Sequence, residues 1–248
     1  MSLFEAENLH KRFGDQVVLE NITISFEKNR VSGIMGPNGA GKTTCFHVLT
    51  GHYKPDRGKV IFDGEDITRL PERVIARKGI SRSFQLMNVF DEYTVLQNIQ
   101  VALPQIRNNS FNMFRNLSKS SDIQDRAWEI LKRVGLEDHT SEEASNLSYG
   151  NKRVLEIGIA LAAEPKLIFL DEPTQGLGGD QMSRLAELVQ EMRRTTTIVI
   201  IEHDMPFLFG LADEISVIHW GQIISRGTPD ELQENKWVRA SNLGKFES

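Results

Sequence analysis

The segment GPNGAGKTT (residues 36–44) combines glycines, a lysine and two threonines in the spacing G-x-x-x-x-G-K-[ST]. Glycines at this spacing let backbone N–H groups surround phosphate oxygens, and the lysine adds a cation that reaches the terminal phosphates. The hydroxyl of Thr43 is a suitable ligand for Mg²⁺ at such a phosphate. The segment directly follows the apolar run VSGIM, which predicts a strand. A glycine-rich turn without a ligand is the alternative, but the complete pattern after a strand predicts a phosphate-binding loop.

Two candidate groups for catalysis follow other apolar runs. LIFLDE ends with Asp171 and Glu172, whose carboxylates could hold a metal through its water shell and polarise an attacking water. TIVIIEHDM places His203 just past a similar run, where its imidazole could donate a hydrogen bond to a terminal phosphate. Taken alone, acidic pairs after strands are usually solvated and a lone histidine is usually structural. Because ligands gather beyond the carboxyl ends of strands in open α/β sheets, we expect these groups to converge on residues 36–44.

The stretch LSYGNKRVLEIGIAL, which begins at Leu147, has a helical apolar pattern and an unusual start. Ser148 and Gly150 lie in a small polar turn ahead of the predicted helix. Lys152 and Arg153 occupy its first turn, where the helix macrodipole disfavours cations. A helix start of this kind indicates an anion-binding site, and a plain helix cap is the alternative.

Two further side chains have only weak signals of their own. Gln85, in SRSFQLMNVF, lies near the predicted join between an α/β core and a helical insertion, although a lone glutamine is usually a surface residue. Phe13, in HKRFGD, would most often be a core or half-exposed hydrophobic residue. Stacking on a base becomes its alternative role once a nucleotide is in place.

The hydrophobic pattern predicts the elements that position these residues. Alternation in NITISF and a turn at Asp63-Gly64 in KVIFDGEDI predict an antiparallel β region through about Asp66. The runs VSGIM, LIFL and TIVII are short and nearly continuous, as expected for parallel strands buried on both faces. The sequence therefore predicts an α/β fold whose site lies where these three runs end.

The middle of the chain has a different pattern. No buried strand run occurs in residues 91–145. AWEILKRVG places Trp128, Leu131 and Val134 on one face of a predicted helix, with Gly135 as its C-terminal stop. We interpret this region as a helical insertion into the α/β core.

Composition sets further limits. The 248 residues are 40% hydrophobic and 25% charged, which is ordinary for a globular protein. The net charge of -5 disfavours a general nucleic-acid binder. The single cysteine, Cys45, cannot form an intramolecular disulfide, which fits a reducing compartment. The first residues lack a signal-peptide pattern and no apolar run approaches the roughly 20 residues of a membrane helix, so we expect any work at a membrane to need a partner.

Together and in this order, these motifs resemble the nucleotide-binding subunit of an ABC transporter, across essentially the whole chain. The resemblance implies a P-loop NTPase core with a mostly parallel sheet, an N-terminal antiparallel β subdomain and an inserted helical subdomain. It implies one ABC ATPase domain over residues 1–248. Residues 1–90 and 146–248 would form the α/β core, and residues 91–145 would form the helical subdomain.

The resemblance also implies ATP and Mg²⁺ as cofactors and assigns roles residue by residue. Mg²⁺ would be held by Thr43, Gln85 and Asp171. Catalysis would rest on Glu172, His203 and Gln85. The implied nucleotide-binding residues of the same subunit are Phe13, Gly36, Pro37, Asn38, Gly39, Ala40, Gly41, Lys42, Thr43 and Thr44.

The signature segment, residues 147–151, is implied to act on a second subunit. In this family two subunits pack head to tail, so that Ser148 and Gly150 of one subunit face the γ-phosphate of ATP held by the other. The cations Lys152 and Arg153 would then point toward the incoming polyphosphate.

Two segments depart from the family pattern. The commonest signature begins LSGGQ, whereas this chain has Tyr149, which is usual for the subgroup described next, and Asn151, which keeps a shorter amide. In PTQGLGGD, Gly178 stands where the family usually has an aspartate or asparagine that helps to join the two subunits. Asp180, two residues further on, could replace that side chain in part.

Within the family, the segments SRSFQ, LSYGN and IEHDM resemble the branched-chain amino acid group, and relatives that carry urea, amides or lipopolysaccharide share much of this pattern. The resemblance implies an ATPase that powers uptake of a branched-chain or related amino acid. Its partners would be membrane permease subunits, a similar ATPase subunit as homodimer or heterodimer, and a solute-binding protein, with no nucleic acid. It would lie peripherally on the cytoplasmic face of the inner or plasma membrane.

Two other functional classes stay open at this point. A soluble ABC-type ATPase that acts on ribosomes or DNA usually carries two cassettes or long coiled-coil insertions, and this sequence has neither. A regulatory module that holds ATP and barely hydrolyses it is disfavoured by Glu172 and His203, and Gly178 is the one feature in its favour.

Overall fold

The computed structural model of the chain describes residues 2–83, 89–107 and 121–235. These residues form two sheets and a set of helices, in the α/β arrangement that the sequence predicts. The strands are β1 (Ser2–Phe13), β2 (Gln16–Glu27), β3 (Val31–Met35), β4 (Arg57–Phe62), β5 (Glu65–Asp66), β6 (Ile80–Arg82), β7 (Leu167–Asp171), β8 (Thr197–Ile201), β9 (Glu214–His219) and β10 (Gln222–Gly227). The helices are α1 (Lys42–Leu49), α2 (Glu72–Arg77), α3 (Val95–Ala102), α4 (Pro104–Arg107), α5 (Ser121–Val134), α6 (Tyr149–Ala162), α7 (Gly179–Met192), α8 (Met205–Leu211) and α9 (Pro229–Glu234).

The larger sheet has six strands in the order β10-β9-β3-β8-β7-β6. Its strands from β9 to β6 run parallel, and β10 forms an antiparallel edge with β9. Every residue of β3, β7 and β8 is buried, which confirms the prediction from their continuous apolar runs. In β8, Ile198 and Ile200 join one hydrophobic core, while Val199 and Ile201 join a second. Because side chains alternate between the faces of a strand, both faces of this sheet are covered.

A four-stranded antiparallel sheet, in the order β2-β1-β4-β5, packs against the larger sheet. Phe4 of β1 lies with its ring centroid 5.5 Å from that of Phe26 in β2 and 5.7 Å from that of Phe169 in β7. These aromatic contacts join the two sheets through buried side chains. The hairpin between β4 and β5 turns at Asp63 and Gly64, which have φ of 51° and 80°, as the sequence predicts.

Helices α3, α5 and α6 pack against one another. Trp128 does not belong to the buried face of α5 as the sequence predicts, because its side chain is 43% exposed and lies under the Lys132 ammonium, 5.3 Å from the ring centroid. The small Ala127 takes the buried position, and residue 128 lies about 100° further round the helix. The side chains that α5 buries are Ile123, Ala127, Leu131 and Val134.

The end of α5 agrees with the sequence. Gly135 has φ of 73°, and the N–H of Leu136 donates to the carbonyl of Leu131 at 2.8 Å, so a left-handed glycine closes the helix. Residues 91–107 and 121–145 contain helices and turns without a strand, as predicted. Across the described ranges, no helix is long and apolar enough to cross a bilayer.

Candidate active site

The glycine-rich loop joins β3 to α1, and its glycines are required by a close contact or by a positive φ. A Cβ on Gly36 would lie 2.1 Å from the carbonyl oxygen of Ile218, a backbone atom that cannot move aside cheaply. Gly41 caps α1 with φ of 100°, and Gly39 has φ of 78° with no described atom within 4 Å of a Cβ position. The loop therefore presents its backbone to an open side, which is the geometry needed to surround an anion.

Lys42 fills the inside of this loop. Its ammonium donates to the carbonyl oxygens of Gly36 at 2.8 Å and of Pro37 at 3.0 Å. Burial lowers the pKa of Lys42, while Glu172 and Asp171 act on its charge in the opposite direction. The lysine thus lies at the loop, near two carboxylates, with donors that terminal phosphates could engage.

Asp171 ends β7 as a buried carboxylate that is 2% exposed. Its Oδ2 has no hydrogen-bond partner in the described part of the chain. Burial, followed by the neighbouring Glu172, raises the pKa of Asp171 to about 6. The Asp171 N–H donates to the hydroxyl of Ser83 at 3.1 Å, which ties β7 to the end of β6. A buried carboxylate oxygen without a partner is costly unless a cation or another donor arrives.

Glu172 and His203 meet where β7 and β8 end. Glu172 has φ of 47°, an unfavourable value for a residue with a side chain, and its N–H is held by the carbonyl of Ile201 at 2.8 Å. The His203 Nδ1 lies 3.6 Å from the Glu172 Oε1, and the imidazole is 60% exposed. The strained backbone thus places the Glu172 carboxylate in an open region beside the His203 imidazole.

Sequence reasoning missed Glu202, which links two loops of the site. This fully buried carboxylate accepts from the N–H of Thr174 at 2.9 Å and from its hydroxyl at 2.6 Å. Its other oxygen accepts from the N–H of His203 at 3.0 Å. The available signal was an acidic residue directly after the nearly continuous apolar run TIVII, where the carboxylate is not necessarily exposed to solvent.

The start of the signature helix differs from the sequence expectation at Gly150. Helix α6 begins at Tyr149, so Gly150 lies inside the helix instead of in a turn ahead of it. Ser148 is its N-cap and accepts from the N–H of Asn151 at 3.2 Å. Within the described residues, Ser148 contacts Asn151 and Gly150 lies against Gln181.

The two cations of α6 do not point toward an incoming anion, which corrects the sequence interpretation. Lys152 pairs with Asp91 at 2.9 Å. Arg153 is 3% exposed, pairs with Glu156 at 2.5 Å and donates to the backbone carbonyls of Asp171 and of Glu172, the latter at 3.1 Å. Buried guanidinium groups need such acceptors. Arg153 therefore ties the signature helix to the acidic pair.

Of the two residues with weak sequence signals, Phe13 and Gln85, only Phe13 lies in the described part of the chain. Phe13 ends β1 with 44% of its surface exposed. Its ring and that of Tyr53 pack in an edge-to-face arrangement with centroids 5.2 Å apart, and the Lys11 ammonium lies 5.4 Å from the Phe13 ring centroid. The remaining ring surface can accept a flat partner. Gln85 lies outside the described residues.

A phosphate loop beside a buried aspartate, a glutamate and a histidine, at the ends of parallel strands, defines a P-loop nucleoside triphosphatase. Residues 19–175 match the family described as ABC transporter. The chain belongs to this family and is an ATP-binding and ATP-hydrolysing subunit of an ABC transporter.

Relatives and solved structures are similar over nearly the whole chain. The high-affinity branched-chain amino acid transport ATP-binding protein LivG of Salmonella typhimurium is 38% identical over 252 residues, which cover 98% of each chain. The corresponding BraF of Pseudomonas aeruginosa is 35% identical over 252 residues, with the same coverage. The crystal structure of an ABC transporter's ATP-binding cassette in its ADP conformation matches with a TM-score of 0.86 and 31% identity, over 99% of this chain and 100% of that chain. These similarities confirm the predicted fold and activity.

The raised pKa of Asp171 predicts a pH-dependent stability without nucleotide or metal. The folded chain holds the Asp171 proton more tightly than the unfolded chain, where the pKa has its ordinary value of 3.8. The stabilising contribution of Asp171 protonation to the free energy of unfolding is therefore fully present below pH 3.8. It is lost as the pH rises through about 6. Asp171→Asn is expected to raise the free energy of unfolding near neutral pH by on the order of 3 kcal/mol.

Urea unfolding in EDTA at several pH values measures this effect. The gain from Asp171→Asn is expected to shrink toward zero as the pH falls below the ordinary carboxyl pKa. Asp125→Asn, at an exposed position of α5 beyond its first turn, is the matched control and is expected to show no such trend. A gain of equal size at every pH would contradict the explanation by protonation.

Proposed function

We propose that this chain powers uptake of a branched-chain or related amino acid, as one of two ATPase subunits that close on ATP. The observation that supports the chemistry best is that the loop holding Lys42 follows β3 at the sheet edge where the parallel strand β7 ends at Asp171, directly before Glu172. Phosphoryl transfer to water needs one cation for phosphate, one buried carboxylate and one partly exposed carboxylate.

Within one subunit, the loop binds the phosphates and Phe13 stacks on adenine. Lys42 exchanges the carbonyl oxygens of Gly36 and Pro37 for oxygens of the β- and γ-phosphates. Glu172 accepts a proton as a water oxygen forms its bond to the γ-phosphorus. The bond from that phosphorus to the β–γ bridging oxygen breaks, and ADP leaves with the bonding electron pair. His203 donates a hydrogen bond to the γ-phosphate oxygens during this step.

The residues present fit a Mg²⁺ ion. Asp171 Oδ2 is a buried oxygen without a partner, and Thr43, in the first turn of α1, supplies a hydroxyl. No cluster of three or more His, Cys, Asp or Glu side chains that could hold a metal occurs in the ranges the structure describes, as expected for an ion that takes most of its ligands from phosphate and water. Asp171, Thr43 and Gln85 would hold the ion. When bound, Mg²⁺ supplies positive charge that neutralises the phosphate oxygens.

The signature segment completes the site of a second subunit. Ser148 and Gly150 lie at the N-terminus of α6, where unpaired N–H groups and the helix dipole favour an anion. In a head-to-tail pair they face the γ-phosphate held by the partner. ATP joins the two subunits, and its hydrolysis releases them. The partner is a second copy of this chain or a similar ATPase subunit.

The helical insertion passes this motion to membrane permease subunits. We propose residues 1–90 and 146–248 as the α/β core and residues 91–145 as the inserted subdomain, which packs on α6 through α3 and α5. Gln85 lies at the junction in this assignment. The subunit would lie on the cytoplasmic face of the membrane, attached through the permease, with a solute-binding protein delivering the substrate on the other side.

The proposed substrate rests on the named relatives, and one purification tests it. A tagged copy of the chain is expressed in its source cell, membranes are solubilised in mild detergent, and co-purifying proteins are identified by mass spectrometry, with the tag alone as control. We expect a multi-span permease and a solute-binding protein. Calorimetric titration of that solute-binding protein is expected to show binding of leucine, isoleucine or valine. A receptor that binds only urea or an amide would overturn the substrate, and ribosomes or nucleic acid in place of a permease would overturn transport.

A further inference from the structure

The side chain of Gln181 bridges two loops that sequence reasoning treated separately. It lies half-buried in the first turn of α7, just after the exposed Gly178 that replaces the family's usual aspartate or asparagine. Its Oε1 accepts from the N–H of Gly178 at 3.2 Å. Its Nε2 donates to the Oδ1 of Asn151 in the signature segment at 3.0 Å. One amide therefore links the segment after Glu172 to the signature helix.

Close packing at two glycines supports the same link. A Cβ on Gly150 would lie 2.5 Å from the Gln181 Oε1, so the glutamine lies directly over the signature glycine. A Cβ on Gly176 would lie 2.3 Å from the Tyr149 ring, so the signature tyrosine packs on the segment that leads to α7. Residues 176–181 and the start of α6 thus touch at two separate points.

The hydrogen bonds continue from Asn151 in two directions. Its backbone N–H donates to the Ser148 hydroxyl, the group proposed to face the partner's phosphate. Its side-chain amide lies 3.4 Å from the His139 Nε2, and the Nδ1 of that histidine lies 2.6 Å from Glu142. The Gln181 amide therefore connects Gly178 to the proposed phosphate-facing serine through a single intervening residue.

We propose that Gln181 is a positioning residue that makes the signature start and residues 176–181 move as one unit toward the second subunit. Gly178 and Gly179 have no side chains, and no atom of the described residues lies within 4 Å of a Cβ position on either, so little local packing restrains their backbone. The Gln181 amide supplies that restraint, and it compensates for the missing aspartate or asparagine. The proposal rests on the two-subunit arrangement proposed above.

The test measures ATP-driven dimerisation of a chain carrying Glu172→Gln, which is expected to bind ATP without consuming it. Gln181→Met keeps the length of the side chain and removes both hydrogen bonds, while Gln181→Ala removes the whole amide. Added to Glu172→Gln, each is expected to weaken the dimer by about tenfold, from light scattering over a range of protein concentrations at saturating Mg-ATP. Affinity of the single subunit for a fluorescent ATP analogue is expected to stay the same, because Gln181 does not face its own nucleotide.

Two controls separate positioning from general stability. Gln190→Ala removes an exposed glutamine from the same helix and is expected to leave the dimer unchanged. Asn151→Ala combined with Gln181→Met is expected to weaken the dimer no more than the stronger single change, since both act through one hydrogen bond. Dimerisation equal to the parent, or two effects that add, would overturn the role of Gln181. A parent chain that stays monomeric would overturn the two-subunit arrangement itself, and this proposal with it.

Discussion

Glu172→Gln is expected to bind ATP with nearly unchanged affinity and to lose turnover by about 10²- to 10⁴-fold. The amide has the size of the carboxylate but cannot accept a proton from the attacking water. The backbone at Glu172, held by the carbonyl of Ile201 at 2.8 Å, does not depend on the side-chain charge. Steady-state phosphate release measures the turnover, and equilibrium titration with a fluorescent ATP analogue measures the affinity.

The same variant is expected to accumulate as a dimer at saturating Mg-ATP, seen by size-exclusion chromatography with light scattering. ATP that is not consumed keeps the two subunits joined. Glu129→Gln makes the same chemical change at an exposed position of α5 and is expected to keep wild-type turnover. Residual turnover near the wild-type rate would remove Glu172 from its role as the base, whereas a monomer that binds ATP would contradict the head-to-tail arrangement.

Gly36→Ala is expected to lower ATP affinity by at least about tenfold, which is about 1.4 kcal/mol or more of binding free energy. The added Cβ would lie 2.1 Å from the carbonyl oxygen of Ile218, so the loop or β9 must move. Either movement displaces the carbonyl of Gly36 that receives the Lys42 ammonium. Overpacking of this kind also lowers the free energy of unfolding, by about 1–3 kcal/mol. Nucleotide titration and urea unfolding measure the two effects.

Gly210→Ala is the matched control for this substitution. A Cβ on Gly210 would lie more than 4 Å from every neighbour that the structure describes, and the residue is exposed on α8, where alanine favours the helix. We expect wild-type nucleotide affinity and equal or slightly higher stability. Unchanged ATP affinity in Gly36→Ala would show that the phosphate loop tolerates the extra methyl group, against the geometry described above.

The main elements of the site could be predicted because their chemistry is local in sequence. The phosphate loop needs only glycines, a lysine and a hydroxyl within residues 36–44, directly after a strand. The apolar runs of β3, β7 and β8 identify strands buried on both faces, and parallel strands bring their carboxyl ends to one edge. Asp171, Glu172 and His203 therefore could be expected near the loop before any contact was known.

The sequence was less informative where a long side chain can reach several partners. Lys152 and Arg153 were interpreted from their place in the first turn of α6, yet Lys152 pairs with Asp91 and Arg153 with the carbonyls that follow β7. The face of α5 was misplaced at Trp128 for a similar reason. Periodicity indicates which positions share a face, but the neighbouring helices decide whether Ala127 or Trp128 lies at the contact.

By itself, the sequence determined the order of the motifs, the buried strands and hence the class of ATPase, since each of these depends on residues that are neighbours along the chain. Only the tertiary structure decided how the motifs are joined to one another. Glu202 reaches back to Thr174, and Gln181 reaches back to Asn151, through side chains whose partners lie far away in sequence. The packing of whole helices and strands determines such pairs, and no local sequence pattern predicts that packing.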